Sequence, residues 1–444
     1  MISFAASASN MENDIEQARA SNMEEDKASA SDIEMAKDIL KTLNTEVRQM
    51  RTQQINGSEL HGYECCIYRV PNQLRNVNSK AYDPNLISIG PLHRENKGLE
   101  AMEKAKLNYF RKLTEGDGMD EKKMCDIVIS IKNQEKRLRN CYSEKSILME
   151  SSDDFVKMIL LDAVFIIQFF LESKDDTDGP KNFEPGMTFD DIREDLLLLE
   201  NQLPLFILQE IYDRVYPHGK DKVANLLRKA NPFLNLATCH FIKESFLKRV
   251  ETRPHIVEGS KHFTDLLRNL MLGAAIGQCD FRPTLHGPYM GRAIEQSRQT
   301  ETDSSTEFPA LSTRVLKYSA VMLLKAGVRF DAAYINKCLV NITFDKGVLK
   351  IPRLEVDHNF ERRIRNIMAL EQCCYSSEAF VCSYMKLMDH LIDSAEDVGL
   401  LVRKGIIVRR LGDDAAVSNI INNLCENIGD NYALFDNIYV NTKV

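Results

Sequence analysis

Residues 155–171 read FVKMILLDAVFIIQFFL. Coiled as a helix, this run shows apolar side chains on every side, so it must be wrapped by other elements or by lipid. A membrane span needs about 20 mostly apolar residues. This run is shorter, and Lys157, Asp162 and Gln168 interrupt it. The reading is a buried central helix over 153–172, opened by the cap-type residues Ser151, Ser152 and Asp153. A second apolar run, DLLLLENQLPLFILQEIY from Asp195, carries Glu200, Asn201, Gln202 and Pro204. It reads as a helix over 191–215 kinked at Pro204, which has no N–H to donate. The three polar side chains would plug the freed backbone groups.

Apolar residues at three-to-four spacing predict further helices. One carries Met102, Ala105, Tyr109 and Leu113; another, over 122–145, carries Ile127, Ile131, Leu138 and Tyr142. Others fit 220–229, 261–275, 311–326, 360–371, 376–403 and 414–427. One segment changes period. Val340, Ile342 and Phe344 alternate, Asp345-Lys346-Gly347 turns, and Val348 to Ile351 returns, which predicts a β-hairpin. Tyr63 to Pro91 reads as an irregular packed connector with LISIG (86–90) as a short strand. Residues 1–44 are crowded with acids and Ala/Ser, too poor in apolar mass to fold, and Ser297 to Glu307 is a polar insert. No internal repeat of solenoid length occurs. The expected fold class is mainly α: one large helical domain over 45–444 with a small β-hairpin, preceded by a disordered acidic arm over 1–44.

A formal charge of −8, from 57 bases and 65 acids, supplies no general basic field, so no nucleic-acid partner is expected. Eleven scattered cysteines and no basic-then-apolar leader fit free thiols in a reducing compartment. Phosphate-cradling glycine loops, a G-x-S-x-G elbow and H-E-x-x-H are all missing from the sequence. His61 with Cys65 and Cys66, and Cys373-Cys374 with Cys382, group soft ligands. Neighbouring cysteines on a helix point about 100° apart, which suits one tetrahedral ion poorly, and no metal or cofactor is expected. Asp190, Asp191 and Asp195 offer an alternative, a Mg²⁺-dependent enzyme with carboxylates on adjacent helical turns. The plainer reading is that they favour a helix N-terminus. Tyr68, Arg69, His93 and Arg94 gather around the connector and are the candidate contacts to an anionic ligand or a partner's acidic patch.

Several stretches recur together in a known order: CIYRVPNQLR from Cys66, AYDP from Ala81, ISIGPLH from Ile87, LEAMEK from Leu99, DLLLLENQLP from Asp195, FTDLLR from Phe263, AGVRF from Ala326, GVLKIP from Gly347, RNIMALEQ from Arg365 and KGII from Lys404. Over about 63–430 the chain resembles the plant domain-of-unknown-function 247 family. The resemblance implies a plant protein with no assigned catalytic residues. Some grass members look like pollen-side determinants of self-incompatibility, so it implies recognition or signalling through a protein partner and no enzyme activity. It also implies a C-terminal membrane-spanning helix, which does not occur before Val444. The expectation is a chain soluble as given, on the cytoplasmic side, and membrane-associated if such a helix follows.

Overall fold

Ser152–Asp175 is one continuous helix of 24 residues, as its all-round apolar sequence requires. The computed structural model describes residues 65–116, 119–144, 151–175, 188–216, 231–242, 257–273, 318–333 and 340–429, with Lys41, Ile147, Phe183 and Cys338 as isolated positions. The acidic arm, the helix expected over 220–229 and the insert Ser297–Glu307 lie outside the described residues. The chain parts into two compact units, Met1–Glu64 and Cys65–Val444. All but Lys41 of the described residues belong to the second.

That second unit is mainly α. Its lead segment, 65–99, holds one short helix, α1 (Asn72–Arg75), and single 3₁₀ turns at Ser79–Ala81 and Lys97–Leu99. Then come α2 (Glu100–Thr114), α3 (Glu121–Asn133), α4 (Glu135–Asn140), α5 (Ser152–Asp175), α6 (Phe189–Leu196), α7 (Leu205–Val215), α8 (Pro232–Ile242), α9 (Phe263–Leu272) and α10 (Ala320–Lys325). Strands β1 (Arg329–Ala333), β2 (Thr343–Asp345), β3 (Val348–Pro352) and β4 (Leu354–Val356) precede α11 (Phe360–Cys374), α12 (Phe380–Leu391) and α13 (Ala395–Arg403). Strand β5 (Ile407–Arg409) and α14 (Asp414–Leu424) follow.

Helix α5 is the axis of one layer, with α2, α3, α7 and α8 packed around it. Phe155, Ile159, Ala163, Phe165, Ile166, Phe169 and Phe170 are all buried. Burial of each large side chain is worth about 1.5–3 kcal/mol, which makes α5 the main apolar anchor. Its polar interruptions are resolved separately. Lys157 faces solvent, Gln168 donates to the Tyr216 hydroxyl at 2.7 Å, and Asp162 is fully enclosed. Helix α11 organises a second layer against α9, α12 and α14, with α13 on α14 and α10 on α13.

The hairpin forms as expected. Strand β2 pairs antiparallel with β3, Phe344 opposite Leu349, across a turn in which Lys346 and Gly347 both have positive φ. Two features go beyond the expectation: β1 adds to β3 in parallel, and β4 pairs in parallel with β5. Three expected helices are subdivided. The one over 122–145 breaks at Gln134, and the one over 376–403 breaks before Ser394, which starts α13 with a capping box to Asp397. The helix expected over 191–215 is not kinked but interrupted. Residues 197–204 leave the helix altogether, and Pro204 becomes the N-cap position of α7. Among the described residues no helix is long and apolar enough to cross a membrane.

Candidate functional site

LISIG is not a strand. A set of buried side chains bonds its backbone where a neighbouring strand would. Asp195, at the end of α6, accepts from the N–H groups of Asn85, Leu86 and Ile87 at 2.7–3.0 Å. Asn201 accepts from Ile89 N–H at 2.6 Å and donates to the Ile87 and Asp195 carbonyls. Asp162 on α5 accepts from Gly90 N–H at 2.7 Å. Lys106 on α2 donates to the Ser88 carbonyl and pairs with Asp162, both at 2.6 Å. Burial pulls the Lys106 ammonium down, but Asp162 and Glu103 more than offset it and keep it above its ordinary value.

The interruption at 197–204 exists to place these groups. Gln202 donates to the Leu196 and Leu198 carbonyls and accepts from Phe263 N–H, the first residue of α9. Its own carbonyl accepts from the Tyr142 hydroxyl at 3.0 Å. Gly90 passes so close that a Cβ there would meet the Gln202 carbonyl at 2.6 Å, and its φ is +71°. Only glycine fits that crossing. From α11, Asn366 accepts from Leu199 N–H and donates to the Ala81 carbonyl. The polar plug foreseen at Glu200-Asn201-Gln202 is therefore real, but it serves the lead segment and α9 rather than a helical kink.

The four candidate contact residues separate into two that converge and two that do not. Glu200, fully buried, accepts from Val70 N–H at 2.6 Å and pairs with Arg75 at 2.5 Å and Arg69 at 3.3 Å. His93 Nε2 lies 3.1 Å from the same carboxylate, though off the direction of a good hydrogen bond. Burial pushes the Glu200 carboxyl up, but His93, the Val70 N–H and Arg75 outweigh it and hold it below the usual carboxylate range. Arg69 also reaches Glu144 and the Leu92 carbonyl. Arg94 turns away, exposed, and donates to the Asp154 carbonyl at the start of α5. Tyr68 sits apart as well, hydrogen-bonded to the Cys65 thiol.

The three carboxylates of the Mg²⁺ alternative do not come together. Asp191 closes a capping box with Thr188, Asp190 pairs with Arg193, and Asp195 is turned inward with its oxygens on three backbone amides and Arg362. The carboxylates diverge because two of them serve the start of α6 and the third serves the lead segment. His61 lies outside the described residues, and among those described no group of His, Cys, Asp or Glu is placed to hold a metal. Cys373 and Cys374 instead come near Cys65, and burial pushes their thiols up to about 11 and about 12. Ser173 and His240 meet at 2.8 Å, and the Ser173 hydroxyl also lies within hydrogen-bond distance of the Phe170 carbonyl, 3.0 Å away.

Sequence reasoning missed three members of this interior. His262 caps α9, with Nδ1 accepting from Asp265 N–H and Nε2–H donating to the Cys66 carbonyl at 3.0 Å. Arg268 and Glu371 pair at 2.9 Å with both side chains buried. Glu371 also accepts from the N–H groups of Val381 and Cys382, at the start of α12. Arg268 and Glu371 fall in the recurring stretches FTDLLR and RNIMALEQ, and His262 lies just before the first, but nothing in the sequence pairs them with their partners.

Many of the buried contacts are made by residues of the recurring stretches, among them Arg69, Val70, Arg75, Ile87, Gly90, Asp195, Glu200, Asn201, Gln202, Phe263 and Asn366. The profile of the DUF247 family, described as "Plant protein of unknown function", matches residues 67–442. The chain is similar to UPF0481 protein At3g47200 of Arabidopsis thaliana, 27% identical over 376 residues, covering 82% of this chain and 73% of that protein. It is also similar to Putative UPF0481 protein At3g02645 of Arabidopsis thaliana, 22% identical over 449 residues, covering 88% and 82%. No solved structure matches the chain. The plug and the segment it fastens thus fall within the stretch matched by the family profile, and the chain belongs to the DUF247 family of plant proteins.

Proposed function

We propose that this protein is a non-enzymatic recognition or signalling protein that binds a protein partner on the cytoplasmic side. The lead segment would present Tyr68, Arg69, His93 and Arg94 to an acidic patch on that partner. One observation carries the reading. An irregular surface segment is normally mobile, whereas this one is fastened from beneath by Asp195, Asn201, Asp162 and Glu200. A loop ordered in advance loses little entropy on binding. Arg69 and Arg94 are the exposed cations among the four candidates. The buried carboxylates of Asp162, Asp195 and Glu200 are committed to holding it.

Affinity capture from plant tissue with the wild-type chain, the Arg69→Glu/Arg94→Glu variant and a remote Lys325→Glu control tests this. The expected result is a reproducible partner lost with the double variant and kept with the control. A partner indifferent to the double variant removes the assigned surface, and no reproducible partner removes the binding role. The finer reading, a role of the self-incompatibility kind, rests on the family resemblance. It requires expression in pollen or stigma, which transcript profiling of those tissues decides.

A further inference from the structure

Two cysteines far apart in sequence meet where the lead segment crosses the turn after α4. Ile67 and Tyr142 form an isolated parallel bridge. Ile67 N–H donates to the Cys141 carbonyl at 2.9 Å and Ser143 N–H to the Ile67 carbonyl at 2.9 Å. Cys66 N–H reaches the same Cys141 carbonyl at 3.0 Å. Cys66 and Cys141 are therefore register mates, one step before the bridge on each side. Cys141 keeps the helical backbone of the end of α4 (φ −69°, ψ −19°), so it is the direct bond from Cys66 N–H to the Cys141 carbonyl that holds the two backbones side by side. Both residues are buried, 2% and 4% exposed, and the two thiols are within hydrogen-bonding reach of each other.

We propose that Cys66 and Cys141 are a built oxidation site that a small peroxide converts to a disulfide, clamping the lead segment onto the end of α4. The chemistry balances with the peroxide as the oxidant. One cysteine, as thiolate, attacks a peroxide oxygen, releasing one water and forming a sulfenic acid. The second thiol then attacks that sulfur, one S–S bond forms, and a second water leaves. Two S–H bonds are lost and the peroxide O–O bond is broken. The Cys66 thiol is pushed up by its contact with the Cys141 thiol and by burial, and both side chains are shielded, so the reaction is slow and favours small oxidants over bulky disulfides. The same shielding protects the product from bulky thiols.

The other thiols near by are competitors. Cys65 and Cys374 also lie in this region, and the Cys374 thiol contacts the Cys66 carbonyl at 3.9 Å. Neither shares a backbone hydrogen bond with Cys141, as Cys66 does.

Peptide mapping of the full chain under non-reducing conditions, after treatment with hydrogen peroxide and alkylation of free thiols, tests the assignment. The expected result is a linked pair of peptides holding Cys66 and Cys141, 2 Da lighter than the two thiols. The Tm should rise by several degrees, and oxidised glutathione should give slower conversion. The Cys141→Ala variant should lose both the link and the Tm rise. Should that variant not fold, the map of the wild-type chain still decides. Linkage of Cys66 to Cys374, or of Cys65 to Cys373, overturns the proposal. So does full alkylation of Cys66 and Cys141 after peroxide treatment and denaturation.

Discussion

Glu200 has no exposed side-chain surface, and it holds two guanidinium groups and a backbone amide. Glu200→Gln removes the charge and leaves Arg75, itself mostly enclosed, with Asp83 alone as its carboxylate partner. Breaking a buried pair costs about 3–5 kcal/mol, and the exposure of Arg69 places this case at about 3 kcal/mol. Urea unfolding should show that loss, with a lower midpoint and little change in slope. His262 makes a pH prediction. Burial drives its imidazole down from the ordinary 6.5 to about 4. Above pH 6.5 the ring is neutral in both the folded and unfolded chain, and no penalty applies. As pH falls from 6.5 towards 4, the unfolded chain takes up a proton that the folded chain refuses, so stability drops by on the order of 3 kcal/mol across that window. Asparagine keeps an N-cap oxygen without titrating. The difference in stability between wild type and His262→Asn, measured from pH 7.5 to 4.5, should therefore narrow as pH falls. A constant difference would mean that His262 takes no part in the acid response.

At the scale of elements, the lead segment behaves as a strand whose partner is made of side chains. Asp195→Ala removes the acceptor of three consecutive amides, each left unsatisfied at about 1–3 kcal/mol unless water reaches it. Hydrogen exchange at Asn85, Leu86 and Ile87 should rise by at least tenfold while the core of α5 stays protected. Equal loss of protection in α5 would show that the segment and the helix open together. Helix starts were legible at Ser151 for α5 and Thr188 for α6, which make the local bond that cap-type residues favour, whereas Ser394 makes the same kind of bond at α13 inside a stretch that reads as one helix over 376–403. Helix interruptions were harder to read. Gln134 and 197–204 carry continuous apolar spacing, and the chain leaves the helix there because long-range partners outbid the local i→i−4 bonds. Pro204 marked the place but not the form, since it suits a helix start as well as a kink.

Across the whole molecule, buried charge also ties together the helices of the second layer. Arg268 on α9 donates to Glu371 on α11 and to the Glu378 carbonyl before α12, and its guanidinium stacks 4.0 Å over Tyr375. Glu371→Gln should destabilise by about 3–5 kcal/mol, whereas an Arg268→Leu/Glu371→Leu pair should recover much of that by leaving no unpaired charge. Thermal unfolding of the two variants checks the order, and a double variant worse than the single one contradicts it. The spacing of apolar residues settled the class of fold, because a stripe every three to four positions buries only as a packed helix. A period of two with a Lys-Gly turn settled the hairpin for the same local reason. What tertiary structure alone decided is where the polar residues inside those stripes point. The partners of Asp162, Asp195, Glu200, Asn366 and Glu371 lie tens to hundreds of residues away, and β4 meets β5 across a comparable gap. A side chain's own neighbourhood in sequence carries no trace of a partner that only the folded chain brings within 3 Å.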